Sequence, residues 1–233
     1  KMNIEMVNGE ATENLSILRL PTKEEKQLKR KSQVYKFVKR TTDVVLASVA
    51  LVILSPVFLI IAIAIKLDSK GPVFFKHTRI GKNGKIIKLY KFRSMVINAE
   101  ELIKSFTPEQ MKEYKENYKL TNDPRITRVG NILRKTSLDE LPQLINIIKG
   151  DLSIIGPRPV VAEELKKYQY NIDKFLSVTP GLTGYWAANG RSNTTYEERM
   201  EMELYYIDNL SLKMDLKVFF KTILSVVKKE GAI

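Results

Sequence analysis

An uncharged run of 22 residues, from Val44 to Ile65, constrains this chain more than any other feature of its sequence. The run reads VVLASVALVILSPVFLIIAIAI and has no polar face at helical spacing, which a core helix of a water-soluble domain would show. As an α-helix rising 1.5 Å per residue it would be roughly 33 Å long, close to the thickness of the hydrocarbon core of a bilayer. We therefore predict that this segment enters a membrane.

The sequence within and around this run leaves two membrane topologies open. At its centre, Ser55-Pro56 kinks or breaks a helix and frees the carbonyl of Val52, for which the hydroxyl of Ser55 or Ser48 is the nearest partner. A kinked spanning helix and a broken helix that enters and leaves on one face fit equally well. The positive-inside rule favours neither orientation, because basic residues flank both ends: Lys36, Lys39 and Arg40 before the run, and Lys66, Lys70, Lys76 and Arg79 after it.

The rest of the chain divides into a tail and a domain. Residues 1–33 are predicted to be a polar, basic tail, residues 34–68 the membrane helix, and residues 69–233 a cytoplasmic domain. Short β-type runs at 72–75 and 85–90 flank a glycine turn and predict a hairpin. Residues 97–120 predict polar helix, and residues 210–231 predict an amphipathic helix that lies along headgroups or docks on the domain. The predicted fold class is α+β and mainly helical, with a small β-hairpin.

The composition excludes several kinds of chemistry. The chain has no Cys and a single His, His77, so disulfides, thiol nucleophiles and cysteine or histidine metal clusters are ruled out. It also lacks the Asp-x-Asp, P-loop and GxGxxG motifs that soluble nucleotide-sugar and nucleotide-binding enzymes normally carry. Its net charge of +13 predicts a polyanionic partner, which is nucleic acid, anionic lipid or a phosphorylated substrate.

The densest cluster of reactive side chains contains two adjacent carboxylates. The segment from Ser137 to Glu140 has the form of a capping box, followed by apolar residues at helical spacing and by Gly150 as a stop. Asp139 and Glu140 would then stand in the first turn, and a later start at Pro142 would still leave them at the helix N-terminus. Such a position favours ionised carboxylates and bound phosphate, so one turn could hold a nucleophile, a divalent cation and an anion. Acidic residues in a first turn are more often simple caps.

Two arginines near these carboxylates favour a phosphorylated ligand. Arg134 precedes Asp139 by five residues, and Arg158 is fixed between Pro157 and Pro159, which restrict the backbone. A guanidinium group binds phosphate through two parallel hydrogen bonds. A diphosphate site needs both signs of charge, because cations bind the substrate while a carboxylate attacks it.

Four blocks in the same order carry a family resemblance: FFKHTRIGKNGKIIKLYKFRSM (74–95), DPRITRVGNILRKTSLDELPQL (123–144), GDLSIIGPRP (150–159) and TPGLTGYWAANGR (179–191). Together they resemble the bacterial sugar transferases, the small monotopic phosphoglycosyl transferases that begin envelope polysaccharide and glycan assembly. The resemblance covers roughly residues 34–230. The last block departs from the more usual Trp-Gln-Val-Asn-Gly-Arg, so the sugar stays open among galactose, glucose and N-acetylated deoxysugars.

The resemblance implies a reaction and its residues. Asp139 would attack the β-phosphate of a UDP-sugar, release UMP and carry the phosphosugar until undecaprenyl phosphate accepts it. Mg²⁺ would be held by Asp139 and Glu140, chiefly through Glu140. Four basic residues would bind substrate phosphate oxygens, the first two as matches to motif arginines and the others as weaker candidates: Arg134, Arg158, Lys91 and Arg93.

The resemblance also implies a location. A break at Ser55 and Pro56 would make the membrane helix reentrant and place the domain on the cytoplasmic face of a bacterial inner membrane, with membrane lipid as a partner. A homo-oligomer is left open. The alternative is a membrane-tethered basic protein that binds anionic lipid or nucleic acid without catalysis. Nucleic acid is not expected, because the positive charges are scattered through turns and do not alternate with stacking aromatics.

Overall fold

The computed structural model describes residues 23–117, 120, 122–190 and 194–227. The chain forms two compact units, residues 1–39 and 40–233, and residues 23–39 of the first are helical. Most of the predicted tail, up to residue 22, and the motif residue Arg191 lie outside the described residues.

The described secondary structure is mainly helical, as predicted, and includes four short strands. The strands are β1 (Phe74–Ile80), β2 (Ile86–Phe92), β3 (Ser153–Ile155) and β4 (Gly181–Thr183). The helices are α1 (Lys23–Asp68), α2 (Ala99–Leu102), α3 (Pro108–Asn117), α4 (Arg128–Lys135), α5 (Gln143–Lys149), α6 (Ala162–Leu165), α7 (Ile172–Leu176), α8 (Tyr185–Asn189), α9 (Tyr196–Asp208) and α10 (Leu212–Val227).

Helix α1 contains the whole apolar run and continues through Pro56. The hydroxyl of Ser55 donates a hydrogen bond of 2.8 Å to the carbonyl of Val52, which confirms the partner predicted for the group that Pro56 leaves unpaired. The predicted break is corrected in one respect, since the backbone is helical on both sides of Ser55-Pro56 and the helix is not divided in two. The Ser55 hydrogen bond supplies the physical reason, because it satisfies the carbonyl within the helix.

Most of the apolar surface of α1 faces outward. The segment Ser32–Asp68 is long and apolar enough to cross a membrane, and only 11% of its most apolar window is buried in the protein. A contiguous exposed apolar surface of this kind is typical of contact with lipid or with another protein. The exposed apolar side chains along the run include Val45, Val49, Val52, Ile53, Leu59, Ile60 and Ile63.

The other face of α1 packs on the domain. Ala47 lies in a core cluster with the apolar residues of β2 and α5, and Ile61 and Ile65 lie in a second cluster with Phe92 and Leu133. One long helix therefore contributes to two separate cores, one near each half of the apolar run.

Polar side chains attach both ends of the apolar run to the same domain. The guanidinium of Arg40 donates to two carbonyls in the last turn of α5, at 2.6 and 2.7 Å. Asp43 accepts the N–H of Ile154 at 3.0 Å, and at the other end Asp68 accepts the N–H of Val129, in the first turn of α4, at 3.0 Å. These contacts place a cation at a helix C-terminus and an anion at a helix N-terminus, where the helix dipole favours them.

The predicted hairpin is confirmed. Strands β1 and β2 pair in antiparallel register from Phe74 opposite Phe92 to Ile80 opposite Ile86. The turn between them holds Asn83 and Gly84 at positive φ, 56° and 75°, which the Asn-Gly pair adopts readily. Strand β1 starts later than predicted and continues through Ile80. A second pair, β3 parallel to β4, was not predicted from the sequence.

Helix α10 docks on the domain, which is one of the two expectations for the amphipathic C-terminal segment. Val218 is buried in a core cluster with Ile155 and Tyr206, so one face of the helix docks on the domain. A second face exposes large apolar side chains, which are Leu212, Leu216, Phe220, Ile223 and Leu224. Such a face is compatible with the predicted contact with headgroups.

Candidate active site

An open cleft contains several of the predicted site residues. One group of lining residues comes from the β-hairpin and the turn before α5, and a second group comes from the loop after β3, from β4 and from α8 and α9. The charged and polar residues of the lining are Arg79, Lys91, Glu140, Gln143, Arg158, Thr183, Trp186 and Glu203. Residues far apart in the sequence thus meet at one surface.

The two carboxylates lie in a tight turn that precedes α5. Residues Leu138–Glu140 form one 3₁₀ turn, and α5 itself runs from Gln143 to Lys149 with Gly150 in the left-handed conformation after it. The predicted stop is therefore confirmed. The predicted capping box is wrong, because Ser137 has a φ of 56° and its side chain caps no helix N–H. The alternative of a later start at Pro142 is the one observed.

Lys91 is the cation nearest to the carboxylates among the described contacts. Its Nζ lies 2.6 Å from Glu140 Oε1 and 3.7 Å from Asp139 Oδ2. Burial raises the pKa of Asp139, which is 8% exposed; Lys91 lowers it, and Glu140 raises it further. The ammonium therefore offsets part of the cost of burying a carboxylate that has to be ionised to act as a nucleophile.

Arg158 has the setting predicted from its two prolines. Pro157 and Pro159 are buried and Arg158 is exposed, so the backbone is fixed while the guanidinium faces the cleft. Its N–H donates to Glu203 Oε1 at 3.0 Å, and its guanidinium carbon lies 5.8 Å from the centre of the Trp186 ring. An aromatic face and a fixed backbone orient this side chain before any ligand binds.

The remaining two predicted phosphate ligands, Arg134 and Arg93, differ in their exposure and in their hydrogen bonds. Arg134 is exposed, its Nε donates to Ser94 Oγ at 2.9 Å, and its charge lowers the pKa of Asp139. Arg93 is not among the residues that line the cleft; it is 6% exposed, and its guanidinium donates to Pro72 O, Ser69 O and Ser69 Oγ, at 2.6 to 2.9 Å. Arg93 holds the chain that leaves α1, and its donors are used within the protein.

The carboxylate pair is small for a complete metal site. No group of three or more metal-binding His, Cys, Asp or Glu side chains occurs in the described part of the chain. Mg²⁺ is commonly bound through one or two carboxylates together with substrate phosphates and water, so Asp139 and Glu140 fit this ion when a phosphorylated ligand is present. The Lys91 ammonium on Glu140 would compete with the ion for the same carboxylate.

Several residues of the cleft were not assigned to a site from the sequence. Arg79 is predicted only as a charge that flanks the apolar run, and Trp186 lies in the last motif block without a predicted role of its own. Glu203 was not considered at all, although it is 1% exposed and burial raises its pKa to about 7. No local motif identifies these residues, because each depends on a contact between distant segments.

His77 offers a direct measure of charge in the cleft. Burial, followed by the charges of Arg79, Lys91 and Arg158, lowers the pKa of His77 to about 4. A dianionic phosphate bound among those cations offsets their charge and should raise this pKa, whereas uridine should not. Because the chain has a single His, its ring signals in an NMR titration are unambiguous. An unchanged midpoint with saturating UMP would contradict phosphate binding at these cations.

Comparison with known proteins identifies a family. The bacterial sugar transferase family profile matches residues 34–229. An undecaprenyl-phosphate galactose phosphotransferase of Salmonella typhimurium is 42% identical over 84% of this chain and 42% of its own length. Exopolysaccharide production protein ExoY of Rhizobium meliloti is 46% identical over 83% of this chain and 87% of its own. A UDP-glucose:undecaprenyl-phosphate glucose-1-phosphate transferase of Escherichia coli is 41% identical over 82% and 40%.

The match extends over most of this chain but not over most of every relative. The chain spans about two fifths of the length of the Salmonella and Escherichia proteins. The family profile nevertheless includes the apolar helix, the carboxylate pair and the residues of the cleft. The chain therefore belongs to the bacterial sugar transferase family.

Proposed function

We propose that this protein transfers a sugar 1-phosphate from a UDP-sugar to undecaprenyl phosphate and so starts the assembly of an envelope polysaccharide or glycan. The observation that carries the proposal is the meeting of Glu140, Lys91 and Arg158 in one cleft, with Asp139 in the same turn as Glu140. The relatives named for galactose and glucose phosphate transfer to the same lipid support the substrate class. The sugar itself is not specified by these residues.

In the proposed first step, a carboxylate oxygen of Asp139 attacks the β-phosphorus of the UDP-sugar. The bond from this phosphorus to the oxygen that bridges the two phosphates breaks, and UMP leaves with that oxygen. Arg158 binds phosphate oxygens, and the Lys91 ammonium lowers the pKa of Asp139 and so favours its ionised form. Mg²⁺ held by Asp139 and Glu140 would supply neutralisation of the phosphate charge.

In the proposed second step, a phosphate oxygen of undecaprenyl phosphate attacks the same phosphorus. The bond to Asp139 breaks, the aspartate returns as a carboxylate, and undecaprenyl-diphosphate sugar is released. Because the same residue is the nucleophile and then the leaving group, donor and acceptor use one site in turn. The acceptor phosphate lies at headgroup depth, so the enzyme has to hold this site at a membrane surface.

The release of UMP rather than UDP tests the proposed reaction. Purified protein with Mg²⁺, undecaprenyl phosphate and a panel of UDP-sugars labelled in the sugar is expected to give UMP in step with label in the lipid. UDP as the nucleotide product would contradict sugar-phosphate transfer. Lipid binding without either product would favour the alternative of a non-catalytic basic membrane protein.

We also propose that α1 is reentrant and that the domain lies on the cytoplasmic face of the inner membrane; the contacts of α1 support the first part of this proposal. Arg40 and Asp43 attach the start of the apolar run to the domain, and Asp68 attaches its end. A helix that crossed the bilayer would have to carry these two attachment points to opposite sides of it. The helix would instead dip into one leaflet with its exposed apolar face, bending at Pro56.

Cysteine labelling tests this topology. Cysteines introduced singly in place of Arg30 and Lys70 in this cysteine-free chain are expected to react with a membrane-impermeant maleimide from the same side of sealed vesicles. Lys135→Cys, at an exposed position of α4, marks the side on which the domain lies. Labelling of positions 30 and 70 from opposite sides would restore the spanning helix.

A further inference from the structure

Glu203 is a buried carboxylate at the wall of the cleft, and only one of its two oxygens has a hydrogen-bond partner. One of its oxygens, Oε1, accepts the N–H of Arg158 at 3.0 Å. The other, Oε2, has no hydrogen-bond partner, although the side chain is 1% exposed. Among the described residues, Tyr168 Oη and Arg199 Nε are also buried and unpaired, but of these three side chains Glu203 is the one that lines the cleft. A buried acceptor without a donor is costly, which points to a donor supplied by a ligand.

Glu203 lies in the lining of the cleft next to Gly184. Gly184 lines the cleft, and a Cβ there would stand 2.1 Å from the carbonyl of Gly156 and 3.8 Å from Glu203 Oε2. Glycine is therefore required at position 184 for the close contact with the backbone of Gly156, and a side chain there would also touch Glu203 Oε2. The indole N–H of Trp186 already donates to Thr194 Oγ1 at 2.7 Å, so Trp186 presents its ring and not its donor.

The charges in the cleft restrict which part of a ligand Glu203 meets. Arg79, Lys91 and Arg158 attract the phosphates of a nucleotide sugar, whereas a carboxylate repels them. What remains of such a ligand is neutral, and its most numerous hydrogen-bond donors are the hydroxyls of its ribose and hexose rings. A ring hydroxyl can donate to a carboxyl oxygen, and this hydrogen bond is one of the stronger ones when the carboxyl group is ionised.

We propose that Glu203 Oε2 accepts a hydrogen bond from a sugar-ring hydroxyl of the bound nucleotide sugar and thereby contributes to donor recognition. This inference rests on the function proposed above. It assigns Glu203 a binding contact in addition to its bond with the backbone of Arg158, and it predicts an energetic coupling between this side chain and one hydroxyl of the ligand.

A binding cycle tests the coupling. Calorimetry on the full chain compares UDP with 2′-deoxy-UDP and 3′-deoxy-UDP for the ribose, and UDP-glucose with its monodeoxy hexose analogues for the transferred sugar. In the wild type, loss of the hydroxyl that faces Glu203 is expected to weaken binding about tenfold. In Glu203→Met, which has no acceptor, the same ligand change should have almost no effect. Glu201→Gln, at an exposed position of the same helix, should behave as the wild type.

A purely structural role for Glu203 predicts a different result. Substitution of Glu203 would then weaken the binding of every ligand by the same factor and preserve each affinity ratio between an intact and a deoxy ligand. Glu203→Gln keeps an acceptor for the N–H of Arg158, and we expect it also to lower the affinity ratio between the intact and the deoxy ligand. This variant provides the test if Glu203→Met fails to fold. If neither the ribose series nor the hexose series shows a change in the affinity ratio between intact and deoxy ligand, this inference is overturned, while UMP release by the wild type still stands. Absence of nucleotide binding and of UMP release by the wild type would overturn the proposed function as well.

Discussion

Asp139→Asn is expected to abolish turnover, with a fall in kcat on the order of 10³-fold or more. The asparagine amide keeps the size of the side chain but cannot form the acyl phosphate that links the protein to the phosphosugar, so neither half of the reaction proceeds. The measurement is UMP release under saturating UDP-sugar, with and without undecaprenyl phosphate. The substitution also removes a buried carboxylate whose pKa is raised by burial, so the folded state should be retained.

Two further variants serve as a control and a comparison for Asp139→Asn. Asp173→Asn makes the same chemical change at an exposed carboxylate of α7 and should leave turnover unchanged. Glu140→Gln is expected to weaken the dependence of the rate on Mg²⁺ concentration without unfolding the protein, because it removes one of two carboxylates that fit the ion. Substantial turnover by Asp139→Asn in the same preparation would remove Asp139 from the role of nucleophile.

Lys91→Met is expected to lower kcat/KM about 100-fold, the usual cost of removing one preorganised charge from an active site. The ammonium lies within 4 Å of both carboxylates and lowers the pKa of Asp139 against the larger effect of burial. Without it, the two adjacent carboxylates repel each other and the incoming phosphates. Initial rates at several UDP-sugar concentrations measure the loss.

We expect the positive charge of Lys91, and not its aliphatic chain, to support the rate. Lys91→Arg keeps a cation next to Glu140 and is expected to recover much of the lost rate. Lys88→Met removes a lysine from an exposed position of the same strand and should have little effect. Equal losses in Lys91→Met and Lys88→Met would mean that the general positive charge of the surface, rather than the contact with the carboxylates, supports the reaction.

The features that sequence predicted well are those determined by neighbouring residues. The hairpin follows from two β-type runs around an Asn-Gly turn, and Gly150 ends α5 because it adopts a positive φ that other residues avoid. The hydrogen bond from Ser55 to the carbonyl of Val52 is similarly local. The exposure of Arg158 follows from the buried prolines on either side of it.

The features that sequence missed depend on contacts between distant segments. Arg93 stands in a motif block beside Lys91, yet the end of α1 takes up its donors, and nothing within the block indicates that contact. Glu203 and Trp186 reach the cleft only because α8 and α9 pack beside β4, which pairs with β3 in a small parallel ladder. The capping box failed because Ser137 adopts a left-handed conformation that the pattern of residue types does not encode.

The central claim is that Asp139 becomes covalently bonded to a sugar phosphate, and mass spectrometry tests it most directly. Protein mixed with a UDP-sugar and Mg²⁺ in the absence of undecaprenyl phosphate is quenched under conditions that preserve acyl phosphates, digested and sequenced. The account predicts a mass increase equal to the phosphosugar on the peptide that contains Asp139, lost on addition of undecaprenyl phosphate and absent from Asp139→Asn. An adduct at another residue, or lipid product formed while Asp139 stays unmodified, would contradict it.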